Sequence, residues 1–496
     1  MTSVGKEEGQ GDSAIGNLLC GSWELVQKIL ENLSYYEVSK LRLVCRIWAD
    51  VGEMILAKRR PLHYLTIHPH CIPTTHGKVA IGEVTPASLL EGFFMHIVSK
   101  PRYCLAFCNA NWLYRTDIFD HTGRKAPITI SEYLHERLPL SCDLGVVSAT
   151  GIIGTVESAY QGHWLQCARS MNQEILNFLE GTDDTPQCKP PKRARKEKTE
   201  EVVGGEGEAK GAVCEAKRSN VGYSIEVEQN SPAMADADAL SLIIIPHHPG
   251  VTVKFFDISP QKFYSEFRGG KILSNKLVIS EEEFNELMSL SPCDHLASLL
   301  LFDTCYDNSF TNGFVKAALN REDYKVALGG GVADAFHSGR TSKFVPTTDH
   351  IFGIAVTGPN IRAASVVIPA SVDNPRHLGR YMLRLKSCGL PEKQSVAFMF
   401  TCCGRGYGSW LPIPKFSYEN VESKAFRRTF PNTPIFGFFG RGEIGITHLP
   451  KFPSPDSGEE EKVTPKKRRK AFHQYSTIIV LLSLSLSLSL SLSRVS

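Results

Sequence analysis

The sequence predicts an α+β protein in which a small all-α segment precedes a larger body of mixed sheets and helices. Near the N-terminus, apolar residues recur at helical spacing, at positions 25, 26, 29, 30 and 33 and again at 38, 41, 44, 45, 48 and 51. From residue 62 onward, short apolar runs alternate with helical patterns, which indicates helices packed on sheets. With 496 residues, of which 42% are hydrophobic, the chain is long enough for two or three domains.

The N-terminal pair of helices has the properties of a docking element. Ser34 and Glu37 have the spacing of a capping box that opens the second helix. Two short amphipathic helices cannot bury a core of their own, so their apolar stripes must contact something else. An ordinary helical hairpin that packs on the following domain would show the same spacing, and this alternative stays open.

These residues resemble an F-box, the helical module that binds a Skp-type adaptor and connects a substrate receptor to a cullin-based ubiquitin ligase. The most specific part is the string Leu-Arg-Leu-Val-Cys-Arg-Ile-Trp at 41–48. The family usually has Leu-Pro where this chain has Gly21-Ser22, and a proline near Ser34. Proline helps helix entry without being obligatory, so we expect weaker entry and retained docking. The resemblance covers 19–61 and implies an adaptor-binding set of Leu25, Ile29, Leu30, Leu33, Leu41, Val44 and Trp48.

Composition limits the classes of partner. With 55 basic and 52 acidic residues, the surface as a whole gives no indication of direct nucleic-acid binding. The 14 cysteines include no Cys-x-x-Cys pair, and we find no signal peptide, so we expect reduced thiols in the nucleus or cytoplasm. We expect no metal site and no cofactor, because His247 and His248 lack a third ligand nearby.

Glycine-rich strings stand out in the second part of the body. They are Gly-Gly-Gly at 329–331, Cys-Gly-Arg-Gly at 403–406 and Phe-Gly-Phe-Phe-Gly-Arg-Gly-Glu-Ile-Gly at 436–445. They resemble the landmarks of FIST-type domains, a sensory fold proposed to bind amino-acid-like molecules. The resemblance covers 280–482 as a FIST C-like domain and, more faintly, 62–260 as a FIST N-like half. An F-box followed by both halves is similar to the F-box only proteins that serve as substrate receptors of ubiquitin ligases.

The same strings suggest a small polar pocket. Glycines directly after a buried strand allow backbone amides to approach a ligand, and a neighbouring arginine and glutamate supply charges for a zwitterion. Tight turns needed only for folding are the alternative for the glycines. The adjacent cysteines could have a lowered thiol pKa, although a buried, inert pair is favoured. The pocket candidates are Cys402, Cys403, Arg405, Gly440, Gly442 and Glu443.

Two basic runs beside prolines match the pattern of nuclear-import signals, with a solvated charge run as the alternative. They are Lys192, Arg193, Arg195 and Lys196 in a predicted disordered insertion at 182–220, and Lys466, Lys467, Arg468, Arg469 and Lys470 in a loop at 451–470. No aromatic residues interleave with these charges, so direct nucleic-acid binding is not expected. We expect the protein in the nucleus and the cytoplasm.

Both ends of the chain are expected to lack a packed structure. Residues 1–18 are rich in Gly, Glu, Ser and Asp, and the tail at 483–496 consists mainly of Leu-Ser repeats. The repeat falls short of the roughly 20 apolar residues of a membrane span. It could also extend the strand that precedes it.

Several elements of the body are predicted from their apolar period. We expect strands at 351–356 and 361–368 to pair antiparallel, and a strand at 324–328 to lead into the glycines at 329–331. No regular pattern is present from 157 to 232. Ser280 and Glu283 predict a second capping box.

Two functions of different classes are compatible with the sequence. The first is a non-catalytic substrate receptor that binds a Skp-type adaptor, and through it a cullin, and holds a protein target. The second is a sensor of an amino-acid-like ligand, or a thiol enzyme, that uses the pocket near Arg405 and Glu443. We find no phosphate loop of the Gly-x4-Gly-Lys-Ser/Thr type and no His-Glu-x-x-His motif.

Overall fold

All the described residues of the computed structural model belong to one unit of the chain. The described residues are 22–68, 86–114, 128–156, 223–228, 239–269, 277–304, 308–338, 349–372, 375–406, 420–451 and 470–484. Residues 1–18, the insertion at 182–220, residues 452–469 of the basic loop and the tail from 485 onward lie outside them.

The N-terminal segment forms three helices, not the two that its apolar period predicts. They are α1 (Trp23–Leu30), α2 (Tyr35–Leu41) and α3 (Arg46–Lys58). The capping box of Ser34 and Glu37 is confirmed, and the hydroxyl of Ser22 caps α1 by accepting from the amide of Leu25 at 3.3 Å. The chain leaves the helix after α2 and is extended at Cys45, with φ −161° and ψ 174°. Both α2 and α3 turn a buried apolar stripe toward the same small core, so the apolar period continues across the break between them. The period therefore gave no sign that the helix is interrupted.

Backbone and side-chain hydrogen bonds fix this segment to the body. The amide of Tyr35 donates to the carbonyl of Ile97 at 2.6 Å, and the hydroxyl of Tyr36 donates to the carbonyl of Arg137 at 2.5 Å. The guanidinium of Arg59 donates to the carbonyls of Leu33 at 2.7 Å and Val98 at 3.1 Å. The helices therefore pack on the following domain, as the helical-hairpin alternative requires. Trp23, Leu43 and Val44 of the same segment remain exposed to solvent.

The body contains three sheets. The first has the order β1 (His63–Ile67), β6 (Leu240–Pro246), β2 (Pro101–Cys108), β3 (Asp143–Ser148) and β10 (Ala335–Ser338). The second has the order β7 (Thr252–Ile258), β11 (Ile351–Thr357), β8 (Leu296–Asp303), β9 (Ala327–Val332), β15 (Glu443–Gly445) and β16 (Phe472–His473). The third has the order β12 (Arg362–Ile368), β17 (Thr477–Ser483), β13 (Ser395–Cys402), β14 (Ile435–Gly440), β4 (Gly151–Val156) and β5 (Tyr223–Glu228).

The helices of the body contribute separate apolar clusters. Their bounds are α4 (Pro86–His96), α5 (Ala110–Tyr114), α6 (Ile130–Arg137), α7 (Pro260–Arg268), α8 (Glu281–Met288), α9 (Asn308–Arg321), α10 (Pro375–Lys386) and α11 (Val421–Thr429). Helices α7, α8 and α9 share a core with the second sheet, and α10 and α11 share one with the third. The capping box of Ser280 and Glu283 is confirmed at the start of α8.

The three sheets repeat one arrangement. Each has a parallel pair in its middle, β2 with β3, β8 with β9 and β13 with β14. On one side of the pair lie an antiparallel strand (β6, β11 or β17) and then an outer strand (β1, β7 or β12). The strand that follows the parallel pair leaves for another sheet, since β4 joins the third sheet, β10 the first and β15 the second. The body is therefore a cyclic set of three similar units, each of which contributes strands to another unit's sheet: β4 and β5 from the first unit, β10 from the second, and β15 and β16 from the third.

This architecture departs from the two-part body that the sequence predicts. The units span 63–246, 252–357 and 362–483, and the exchanged strands cross the predicted division between 62–260 and 280–482. The predicted pairing of 351–356 with 361–368 is wrong, because β11 ends the second unit and β12 begins the third, in another sheet. The three glycines lie inside β9 and do not follow it. Strand β5 lies within the stretch that shows no sequence pattern, and β17 continues into the first Leu-Ser repeat, through Ser483.

The main core fills the space where the sheets face one another. Phe107 of the first sheet, Phe302 of the second and Phe400 of the third occupy equivalent strand positions there. The ring of Phe302 lies 6.0 Å from Phe107 and 5.7 Å from Phe400. All three side chains are buried, and together they anchor the three sheets to each other.

Candidate functional site

The equivalent strand positions identify one residue that breaks the threefold pattern. Phe107 pairs with Val147 and that residue with Phe336, while Phe400 pairs with Phe438 and that residue with Ile152. In the second sheet the same ladder runs from Phe302 through Gly331 to Glu443. A carboxylate thus stands where the other two sheets place a buried phenylalanine and a buried isoleucine.

Glu443 is the first residue of β15 and is only 2% exposed. Its Oε2 accepts hydrogen bonds from the backbone amide of Ser476 at 3.1 Å and from its hydroxyl at 2.8 Å. Its Oε1 is buried and accepts no hydrogen bond from the described residues, while the thiol of Cys402 lies near the carboxyl group. We call Glu443, Cys402 and Ser476 the Glu443 corner.

Burial controls the electrostatics of this corner. It raises the pKa of Glu443 to about 7, although the bonds from Ser476, the contact with Cys402 and the positive charge of Arg405 act in the opposite direction. A carboxyl group with this pKa changes protonation state near neutral pH. The corner therefore contains a buried group that can take up or release a proton under physiological conditions.

The other two sheets have corners of the same build but different chemistry. In each unit a backbone amide at the end of the first parallel strand donates to the carbonyl of the residue just before the antiparallel strand. The three bonds run from Asn109 to Ala239 at 3.3 Å, from Thr304 to His350 at 3.1 Å and from Cys402 to Ser476 at 3.1 Å. Phe336 packs against His350 with 6.2 Å between ring centroids. At the position of Glu443 the other two corners have the apolar residues Ile152 and Phe336, so among these three corners only the Glu443 corner combines a carboxylate at this position with a thiol.

Arg405 lies beside this corner but is used by the fold. Its Nε donates to Glu422 Oε1 at 2.7 Å, and its Nη2 donates to the carbonyl of Val372 at 2.8 Å. Glu422 Oε2 in turn accepts from the hydroxyls of Thr401 and Thr477. The sequence predicts that Arg405 offers a free positive charge to a ligand. This expectation is wrong, because the guanidinium is buried and forms an ion pair with Glu422.

Cys402 does not have the electrostatics of a nucleophile. Burial, with a contribution from the charge of Glu443, raises the pKa of Cys402 to about 11. The thiol is therefore protonated at neutral pH, which contradicts the lowered pKa that a thiol enzyme needs. Cys402 ends β13, and Cys403 is half-buried in the short 3-10 helix that follows.

The glycines of the pocket set differ in their roles. A Cβ on Gly440 would lie 2.7 Å from the carbonyl oxygen of Val332, so this position needs glycine for close strand packing. A Cβ on Gly442 would meet its nearest heavy atom, in Val332, only at 3.4 Å. The carbonyl of Gly442 accepts from the amide of Val332 at 2.9 Å, which fixes the turn that leads into Glu443.

The residues predicted to bind the adaptor differ in how far the N-terminal helices expose them. Leu30 is fully buried and Trp48 is 8% exposed, so the free chain offers little of either side chain to an adaptor, and their contact with an adaptor stays a prediction. Leu25, Ile29, Leu33 and Leu41 are half-buried, and Val44 is 58% exposed. The turn between α2 and α3 also exposes Leu43 to 87%, a residue inside the 41–48 string that the sequence reasoning did not select.

Other predicted residues lie largely outside the described part of the chain. The basic residues at 192–196 and 466–469 are not described, while Lys470 is described and exposed. Within the described ranges, no helix has the length and hydropathy needed to cross a membrane. The same residues contain no cluster of three or more His, Cys, Asp or Glu side chains that could hold a metal ion.

Comparison with protein families identifies the N-terminal segment. Residues 22–54, which contain α1, α2 and most of α3, match the family model of the F-box domain. The chain carries an F-box domain. This domain is shorter than the predicted range of 19–61, although α3 continues to Lys58.

Two curated proteins are similar to part of the chain. It is 29% identical over 208 residues to F-box only protein 22 of Homo sapiens, which covers 42% of this chain and 49% of that protein. It is 28% identical over 208 residues to F-box only protein 22 of Pongo abelii, with the same coverage. The matched region spans about half the length of these relatives.

A solved structure gives a remote match. The crystal structure of cyanuric acid hydrolase from A. caulinodans aligns with 50% of this chain and 74% of its own, at 7% identity and a TM-score of 0.22. A similarity this low supports no conclusion on fold or activity.

Proposed function

We propose that this protein is the substrate-recognition subunit of an SCF-type ubiquitin ligase. In this proposal the F-box domain binds a Skp-type adaptor and, through it, a cullin scaffold, while the three-sheet body holds a target protein for ubiquitination and proteasomal degradation. The chain needs no catalytic group for this role. It acts by proximity, because it raises the local concentration of target lysines near a charged conjugating enzyme.

The observation that carries this proposal is the apolar surface of the F-box domain. Nine large hydrophobic side chains of the described residues are exposed, and three of them, Trp23, Leu43 and Val44, lie in this short domain. Half-buried Leu25, Ile29, Leu33 and Leu41 add to the same helices. Exposed apolar residues at this density mark a protein interface, since a soluble surface normally scatters them singly.

Co-purification with a Skp-type adaptor tests this role. We expect Leu43→Asp combined with Val44→Asp to weaken adaptor binding by about 30-fold or more, because a buried charge replaces two apolar contacts. Leu383→Asp is a matched control, since Leu383 is 63% exposed on α10 of the body. Adaptor binding that survives the double substitution unchanged, or falls equally in the control, would refute the proposed interface.

A second candidate function is binding of a small ligand at the Glu443 corner. It is supported by the carboxylate that replaces an apolar residue of the other two sheets and by its weakly satisfied Oε1. A thermal-shift screen with amino acids and amines tests it, because a ligand stabilises the folded state by mass action. Stabilisation that persists in Glu443→Gln, or no shift with any compound, would count against the corner. Ligand binding and a receptor role can coexist.

We further propose nuclear import through the basic runs, with protein in both nucleus and cytoplasm. The support is the sequence alone, five consecutive basic residues at 466–470 beside Pro465. Replacement of these five residues by alanine in a fluorescent fusion is expected to reduce nuclear signal. An unchanged distribution, with the run at 192–196 also replaced, would contradict the proposal.

A further inference from the structure

The helices of the third unit differ in charge from those of the other two units. With Lys and Arg counted as basic, helices α4 to α6 of the first unit carry one basic and three acidic residues. Helices α7 to α9 of the second unit carry four basic and five acidic residues, whereas α10 and α11 of the third carry seven basic residues and one acidic residue. Because the three units share one arrangement of strands, covering a sheet with helices does not require this excess of positive charge.

The excess lies on the solvent side of α10 and α11. The two helices share one buried apolar cluster above the third sheet and are therefore neighbours. Four basic side chains of these helices are exposed, two in α10 and two in α11: Arg380, Arg384, Lys424 and Arg428. We call them the α10–α11 patch. In each helix the two patch residues are four positions apart, which places them side by side on the helix surface.

The fold supplies no negative charge to this patch. Glu422, the acidic residue of these helices, is buried and paired with Arg405. Glu392, which follows α10, is paired with Lys386, a basic residue outside the patch. Within the described part of the chain, none of the four patch residues forms an ion pair. Since like charges one helical turn apart repel each other, the patch works against helix stability without an internal partner to offset it.

The helix dipole accounts for part of the patch only. Arg384 and Arg428 lie in the last turns of α10 and α11, where a positive charge is favourable. Arg380 and Lys424 lie outside those turns. Their charges therefore have no evident role in the stability of the folded chain, which points to a partner outside it.

An acidic polypeptide segment fits the patch better than other anions. The four cations are exposed and spread over two helices, so they form no enclosed site for a small anion. Of the two aromatic residues in these helices, Phe426 is buried and Tyr381 is half-buried, with the guanidinium of Arg384 5.8 Å from the centre of its ring. Nucleic-acid bases therefore find no exposed ring on which to stack. The formal net charge of +3 for the whole chain also gives little attraction for a long polyanion.

The chain's own acidic stretches are neutralised by basic residues in the same segments. The loop at 452–469 contains four acidic and five basic residues, and the insertion at 182–220 contains eight acidic and nine basic residues. Neither segment has the net negative charge that would draw it to the patch. Charge complementarity therefore favours a separate acidic partner.

We propose that the α10–α11 patch binds an acidic segment of a target protein, whose carboxylates pair with the four exposed cations. This inference rests on the proposed receptor function and names the charge of the target. Exposed ion pairs each add little affinity, but together they steer association and select a partner by its charge. Binding is then expected to weaken as the salt concentration rises and screens these charges.

The probe is a phage-displayed library of random 12-residue peptides, selected on the full chain in complex with its adaptor. We expect the enriched peptides to be rich in Asp and Glu. A synthetic enriched peptide is expected to bind about tenfold more weakly to a patch variant that combines Arg380→Gln, Lys424→Gln and Arg428→Gln, because three exposed charge pairs are lost. The patch variant is expected to melt no lower than the wild-type chain, since the substitutions remove repulsion between like charges.

A matched variant controls for the loss of three positive charges. It combines Lys262→Gln, Lys316→Gln and Lys325→Gln, which replace three exposed lysines of the second unit. This control is expected to bind the enriched peptide as tightly as the wild-type chain does. An oligonucleotide of 12 thymidines is measured in parallel and is expected to bind more weakly than the peptide.

Several results would overturn the proposal. Enriched peptides without an excess of acidic residues, or equal binding to the patch variant and the control, would exclude the patch as their site. A patch variant that melts well below the wild-type chain would assign these cations to the fold. Oligonucleotide binding that is tighter than peptide binding and lost in the patch variant would make the patch a nucleic-acid site.

Two further measurements separate the remaining possibilities. Peptide binding that appears only when 452–469 is replaced by a Gly-Ser linker would show that the chain covers its own patch, and would refute a free docking surface. Adaptor co-purification is read in the same preparations. Acidic-peptide binding by a chain that binds no adaptor would refute the receptor role and retain the patch, whereas adaptor binding without peptide binding would refute the patch alone.

Discussion

Replacement of Glu443 by glutamine tests the electrostatics of the corner directly. The folded chain raises the pKa of this carboxyl from 4.5 to about 7, chiefly by burial. The folded state therefore binds more protons than the unfolded state between these two pH values. Stability contributed by the neutral form is complete below pH 4.5 and is lost as the pH rises through 7, because the buried carboxylate becomes charged.

The size of the effect follows from the same pKa values. Each tenfold change in the protonation equilibrium corresponds to about 1.4 kcal/mol, so charging Glu443 in the folded state costs about 3 kcal/mol relative to the unfolded chain. Glutamine keeps an acceptor for Ser476 and removes the charge. We expect Glu443→Gln to match the wild-type chain at pH 5 and to exceed its free energy of unfolding by up to about 3 kcal/mol at pH 8.

Urea unfolding followed by tryptophan fluorescence at pH 5, 6, 7 and 8 measures this difference. Glu286→Gln on the exposed face of α8 controls for the loss of one carboxylate. A stability difference between Glu443→Gln and wild type that stays constant across the pH range would refute the reasoning. A wild-type chain whose stability rises between pH 5 and 8, relative to Glu443→Gln, would reverse the sign and refute it as well.

Three further substitutions test the fold around the sites. Arg405→Met should reduce the free energy of unfolding by about 3–5 kcal/mol, because Glu422 is left buried and unpaired, and a double variant with Glu422→Leu should recover much of this loss in the same urea assay. Gly437→Ala should cost more than about 2 kcal/mol or prevent folding, since its Cβ would lie 1.8 Å from the carbonyl oxygen of Met399. Gly379→Ala, on an open helical position, should instead stabilise the fold by about 0.5–1 kcal/mol, because alanine has the higher helix propensity. Arg59→Gln should speed hydrogen exchange in Ile97, Val98 and α1 while exchange in β13 stays unchanged, because it removes bonds between the F-box domain and the body.

The sequence alone located the elements whose signals are local. Capping boxes at Ser34 and Ser280 depend only on residues three positions apart, and both were predicted correctly. The F-box segment was recognised from a run of neighbouring residues, 41–48, and the family comparison covers it. The α+β class also followed from local periods of apolar residues.

Contacts between distant segments could not be read in the same way. Glu422 and Ser476 complete the surroundings of Arg405 and Glu443, and neither carries a local motif that would mark it. The burial of Leu30 and Trp48 depends on how α1 and α3 pack, because periodicity marks an apolar stripe without telling core from interface. The exchange of strands among the units could not be predicted either, because the spacing of residues along a strand does not indicate which other strand it pairs with.

What the sequence determined by itself is therefore the two capped helix starts, the α+β class and the F-box domain. Only the tertiary structure decided that the body has three units, that Glu443 replaces an apolar core residue and that Arg405 is occupied by Glu422. The physical reason is that capping and amphipathic period act within a few residues. Burial, pKa and partner choice are set by segments up to several hundred positions apart, such as β4 and β14, which meet through Phe438 and Ile152.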